Sequence, residues 1–135
     1  MFFLSLYAIF KNESHIIKEG YFPYYDVELV HNGEIKKYEC KADRYAYKTG
    51  QIAIESECNN KPSGITRTKA DYYAYFVVKP YGDLYDLYLI PVSVLKQRIK
   101  AKQFMRKIVC GHNKNTKCLV MDINTFAEYK HTSKK

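Results

Sequence analysis

The stretch that most constrains this chain is VELVHNGEIKKYECKAD, residues 27–43. Asn32-Gly33 separates two runs rich in β-formers. That dipeptide favours the two-residue type I′ turn, whose positive φ angles Asn and Gly tolerate best. With residues 32 and 33 as the loop, the positions of every cross-strand pair sum to 65. Glu28 then faces Lys37, His31 faces Glu34, Val30 faces Ile35 and Val27 faces Tyr38. These are favourable pairs, and a slip of one residue would turn each side chain to the opposite face of the sheet.

Continued by one step, the same register sets Asp26 against Glu39, with Cβ atoms about 4.5–5.5 Å apart. Like charges placed so are destabilising, and a divalent cation between them is the simplest relief. Lys41, two residues beyond Glu39, projects from the same face. Two carboxylates suit a hard cation such as Mg²⁺ or Mn²⁺. An adjacent ammonium can position or deprotonate a water, or hold a phosphate. This is the layout for hydrolysing a phosphodiester. The competing explanation is an ordinary surface salt bridge of Lys41 with its neighbours.

The rest of the chain predicts a mixed α/β domain. Residues 4–19 are expected to be helical, with Asn12 and Ser14 as polar starters and Gly20 as a stop. Strands are expected at 24–31, 34–41, 51–57, 72–78 and 84–90. A loop at 59–64 and a helical turn at 65–71 separate the third strand from the fourth. Residues 92–102 form an amphipathic helix, with Val92, Leu95 and Ile99 on one face. Two short strands flank the loop GHNKNTK, NTFAEYK closes with a helical turn, and the basic tail 130–135 is expected to be disordered. At 135 residues the chain fits one domain.

The net charge of +8 favours a polyanionic partner, nucleic acid above all. The apolar opening MFFLSLYAIF is too short to span a bilayer and lacks the basic flank of a signal peptide. Four cysteines without a secretory signal are expected as free thiols inside the cell. CGHNKNTKC does not follow a zinc-site spacing. KADRYAYKTG interleaves Lys41, Arg44 and Lys48 with Tyr45 and Tyr47, a composition that can hold a nucleic-acid strand by charge and stacking, or can be a solvated loop.

Asp26 followed by Glu39-Cys40-Lys41 on the next strand resembles the PD-(D/E)xK nuclease superfamily, which has the restriction-endonuclease-like fold. YECKADRYAYKTGQIAIESE and KPSGITRTKADYY are similar to members found mostly in phages and large DNA viruses. The likeness covers residues 26–73 and is looser around LIPVSVLK and NTKCLVMDINTF. Tyr25, rather than the signature proline, precedes Asp26. The resemblance implies a core of helix, three-stranded antiparallel start, helix and strand, with C-terminal additions here. It implies a Mg²⁺- or Mn²⁺-dependent endonuclease acting on DNA, with Asp26 and Glu39 as metal ligands, Lys41 as the catalytic lysine and the Cys40 backbone carbonyl as a further ligand. A glutamate on the first helix joins the site in many members. Glu13 is the preferred candidate over Glu19.

Glu55, on the third strand, is a candidate to orient Lys41 or to bind a second metal, or it is a solvent-facing strand residue. Ser63, Arg67, Thr68 and Lys69 are candidates for holding a nucleic-acid phosphate at the start of the helical turn, and Lys69 for completing the active site. Simple helix capping is the alternative. A domain this small has little surface for reading sequence, so structure-selective or weakly specific cutting is expected, with a homodimer as one route to cutting two strands. A non-catalytic nucleic-acid-binding module on the same fold is the alternative function.

Overall fold

The structure is a computed structural model that describes residues 14–19, 25–31, 33–81, 84–110 and 115–131. Its architecture is mixed α/β, with two sheets, mostly strands and few helices. The first sheet has the order β1 (Ser14–Glu19), β2 (Val27–His31), β3 (Glu34–Asp43), β6 (Tyr72–Val78), β7 (Tyr85–Pro91), and the second the order β5 (Lys61–Pro62), β4 (Gln51–Cys58), β9 (Thr116–Asp122), β8 (Arg106–Cys110).

The hairpin organises the first sheet. β2 (Val27–His31) and β3 (Glu34–Asp43) pair antiparallel in the expected register, with Val27 against Tyr38 and Glu28 against Lys37. Gly33 has φ +80°, as a turn of this kind demands. The chain before it departs from expectation. Ser14–Glu19 is a strand, β1, antiparallel to β2, rather than the end of a helix. Ile16 and Ile17 favour extended backbone, and the edge of β2 supplies hydrogen-bond partners that outweigh the polar helix starters. The remainder of the expected helix, Glu13 included, lies outside the described residues.

The second departure concerns β4 (Gln51–Cys58). It does not pair with β3 but opens the second sheet, antiparallel to β9 (Thr116–Asp122). The place beside β3 is taken by β6 (Tyr72–Val78), in parallel. The composition of β6 explains this. YYAYFVV is apolar on both faces, which suits an interior strand covered on both sides. Tyr73, Tyr75 and Val77 enter one core cluster, while Ala74, Phe76 and Val78 enter another with Val27, Leu29, Tyr38 and Leu87. The expected antiparallel start of strands 24–31, 34–41 and 51–57 is therefore formed only in its first pair, with β1 on the outer edge of β2 and β4 in the other sheet.

β6 turns into β7 (Tyr85–Pro91), its antiparallel neighbour. Helix α2 (Val92–Lys100) follows, and its Val92 and Leu95 are buried in the cluster shared with Ile52, Ile54, Met121 and Phe126. The two sheets thus share a core. β8 (Arg106–Cys110) completes the second sheet beside β9. A two-residue strand, β5 (Lys61–Pro62), pairs only with the end of β4.

α1 (Ala46–Thr49) is a single turn tied down by Asp43, whose carboxylate accepts from the Tyr45 and Ala46 amides at 2.8 and 2.9 Å and from the Tyr75 hydroxyl. That hydroxyl in turn accepts from the Ala53 amide at 3.3 Å, linking the first sheet to β4. The expected helical turn at 65–71 is shorter, a 3₁₀ turn over Gly64–Thr66. Residues 130 and 131 are anchored rather than disordered, because Lys130 bridges to Tyr88 and the His131 amide donates to the Leu87 carbonyl at 2.7 Å. Residues 132–135 lie outside the described set.

Candidate active site

A cleft of about 300 Å³ opens between the end of the β2–β3 hairpin and β4. Asp26, Glu39, Cys40, Lys41, Glu55, Ser63, Arg67 and Thr68 all border it. Strand alternation puts Glu39 and Lys41 on one face of β3, with Tyr73 and Tyr75 as their parallel partners on β6.

Asp26 extends the hairpin by one residue, as its amide donates to the Tyr38 carbonyl at 2.9 Å. Its carboxylate accepts from the Cys40 amide at 2.7 Å, which fixes it across from Glu39. An extended residue presents its N–H and C=O to the same edge of the strand. The Cys40 carbonyl therefore also faces the Asp26 edge, past Val27, where the β2 ladder ends. The Cys40 side chain packs against the opposite cluster, and burial pushes its thiol up to about 12. Only its backbone serves the cleft.

Glu39 is the carboxyl in the cleft that the surroundings perturb clearly. Burial first, then the charge of Asp26 and to a lesser degree that of Glu55, together raise its carboxyl from the ordinary 4.5 to about 7, against a lowering hydrogen bond from Thr68. That bond runs from Thr68 Oγ1 to Glu39 Oε1 at 3.1 Å. Thr68 is 6% exposed, so its hydroxyl is placed to support a carboxylate. Tyr73 reports the same field, since burial and then Glu39, Glu55 and Asp26 all raise its hydroxyl well above its usual range. Three carboxylates and one lysine therefore converge from three strands.

Glu55 reaches the cleft from the second sheet, not from a strand beside β3 as the sequence suggested. Gly64 makes this approach feasible. Its φ is +51°, and a Cβ at that position would sit 2.2 Å from the Glu55 carbonyl oxygen. Ser63, at the start of the same turn, has a buried Oγ with no hydrogen-bond partner. Arg67 borders the cleft from the exposed side of the turn. Lys69 is exposed and is not among the lining residues. Arg44 and Lys48 are exposed beyond the end of β3, beside Tyr45, which is 80% exposed. Sequence reasoning missed Ala53, Gly64 and Tyr73 as lining residues, because their place depends on how β6 docks on β3 and how the second sheet meets the first.

Among the described residues, no three His, Cys, Asp or Glu side chains form a ready-made metal cage. The donor set nevertheless fits a hard cation of the Mg²⁺ type, which is held by one or two carboxylates, with water and substrate phosphate filling the other positions. Asp26, Glu39 and the Cys40 carbonyl supply such a set, and a carboxyl held near 7 by burial and then by its acidic neighbours is one that a cation would ionise.

Among the described residues, no helix is long and apolar enough to cross a membrane. No protein-family model matches the chain, and no curated protein and no solved structure shows significant similarity to it.

Proposed function

We propose that this chain is a metal-dependent endonuclease that hydrolyses phosphodiester bonds of nucleic acid, DNA in the first instance, on a restriction-endonuclease-like core. The observation that carries this reading is the convergence of Asp26, Glu39 and Lys41, with Glu55, on one cleft. Asp26, Glu39 and the Cys40 carbonyl would hold Mg²⁺ or Mn²⁺, which supplies charge stabilisation at the phosphate and a more acidic water.

The protein's own groups do the rest. The Cys40 amide orients Asp26, and Thr68 orients Glu39. Lys41 sits on the cleft face of β3 with its ammonium exposed. There it positions the attacking water and balances charge on the scissile phosphate. Arg67, exposed at the border of the cleft, would hold the substrate backbone. Arg44, Lys48 and the exposed Tyr45 extend the same surface for a flanking strand. Pairing of two copies would let one assembly cut both strands.

The test is cleavage of a labelled panel of single-stranded, duplex, nicked, flapped and four-way DNA, with RNA alongside. Each substrate is incubated with Mg²⁺, Mn²⁺ or EDTA, beside a Lys41→Ala variant. The expected result is metal-dependent cutting that Lys41→Ala loses. Salt-sensitive binding without cutting would replace this reading with the non-catalytic binding module.

A further inference from the structure

We propose that Cys110 and Cys118 form a reversible thiol–disulfide site, oxidised by low-molecular-weight disulfides of the oxidised-glutathione class. The inference does not rest on the nuclease reading. Its ground is geometric, since the two sulfur atoms lie 3.1 Å apart across the β8–β9 pair.

The register shows why these two meet. Cys110 pairs with Thr116, and Cys118 pairs with Ile108, so the cysteines are diagonal neighbours on one face of the sheet. Diagonal positions lie about 7–8 Å apart, just past the usual span of a disulfide, so closing one takes a small shift of the backbone. Here the two side chains turn towards each other and close that gap. A bond of about 2.05 Å requires roughly 1 Å of further approach. A bridge across such a diagonal is readily reduced, which suits a reversible mark better than a permanent staple.

The other cysteines are poorly placed. Cys58 on β4 also pairs with Thr116, so it lies two strands from Cys110, about 9–10 Å away, and although it is diagonal to Cys118 its sulfur accepts from the Thr116 hydroxyl at 3.7 Å instead. Cys40 belongs to the other sheet and packs on its far face. Among the described residues, Cys110 and Cys118 are thus the pair within reach.

The chemistry enters through Cys110, which is half-buried, whereas Cys118 is 6% exposed. The Cys110 thiolate attacks one sulfur of the small disulfide and releases one small thiol, leaving a mixed disulfide. Cys118, its proton passed to solvent, then attacks the Cys110 sulfur and expels the second small thiol. Two protein thiols are oxidised, one small disulfide is reduced to two thiols, and no other reactant is needed. Burial, first, pushes the Cys118 thiol up to about 12, with Lys41 lowering it and Glu55 raising it. The buried sulfur is therefore a poor entry point by itself and lies within the electrostatic reach of the cleft.

The experiment incubates the folded full chain with oxidised glutathione and reads intact mass and mapped peptides. Wild type and Cys58→Ser are expected to lose two hydrogen atoms, with Cys110 joined to Cys118, and to regain them with dithiothreitol. Cys110→Ser should show no such loss, with circular dichroism confirming its fold and Cys110→Ala standing in for a variant that misfolds. The proposal is overturned by a loss that persists in the Cys110 variants, by a stable glutathione adduct as the sole wild-type product, or by a wild type that stays fully reduced while a denatured sample oxidises.

Discussion

Replacing Glu39 with glutamine should stabilise the metal-free protein at alkaline pH and abolish its response to Mg²⁺. Glu39 has a folded value of about 7 against an ordinary 4.5. Below pH 4.5 the carboxyl is protonated in both states and costs nothing. Between pH 4.5 and 7 the unfolded chain ionises while the folded chain keeps its proton, so stability falls as pH rises. Above pH 7 the whole cost is present. That gap corresponds to at most ~3 kcal/mol, and solvent screening in an open cleft reduces it to ~1–2 kcal/mol. Glutamine keeps an oxygen for the Thr68 hydroxyl and removes the repulsion with Asp26 and Glu55. Urea unfolding at pH 5 and pH 8 in EDTA measures the difference. Wild type should lose ~1–2 kcal/mol between those values, Glu39→Gln much less, and Mg²⁺ should restore the loss only in wild type. Parallel pH dependences in the two proteins would refute the assignment of the strain to Glu39.

Three further outcomes follow from the geometry. Gly64→Ala should destabilise the fold by ~3 kcal/mol or more, read by urea unfolding, because its Cβ meets the Glu55 carbonyl at 2.2 Å at a positive φ. Tyr45→Ala should leave thermal unfolding unchanged within ~0.5 kcal/mol and weaken single-strand binding by ~1–3 kcal/mol in a metal-free anisotropy titration. Lys41→Ala should fold with wild-type stability while cleavage falls ~100-fold or more, since its side chain is exposed and not part of either core cluster.

What the sequence made legible was local. The hairpin register followed from Asn32-Gly33 and the pattern beside it, and it placed Asp26, Glu39 and Lys41 on one face before any fold was known. Strand β6 was readable from its unbroken apolar run. Its parallel docking against β3 was not, because side-chain pattern does not say which buried strand lies beside which. The same limit hid the route by which Glu55 reaches the cleft, through a second sheet whose free edge meets Tyr75. β1 was misread because Asn12, Ser14 and Gly20 give helix-like punctuation, whereas the deciding factor was an unpaired edge on a strand further along the chain.

This division explains why paired carboxylates are tolerated at all. In the middle of a ladder, Asp26 opposite Glu39 would disturb hydrogen bonds on both sides. Here the pair sits at the end of the β2 ladder, where the Asp26 carboxylate itself replaces the missing partner of the Cys40 amide. The backbone is satisfied, and the cost of burial together with the Asp26 charge appears as the raised pKa of Glu39. Thr68 offsets a part of that cost without neutralising it. An arrangement built only for stability would place a lysine or arginine between the two acids. Lys41 instead stands one side-chain step along the same face, exposed and bordering the cleft.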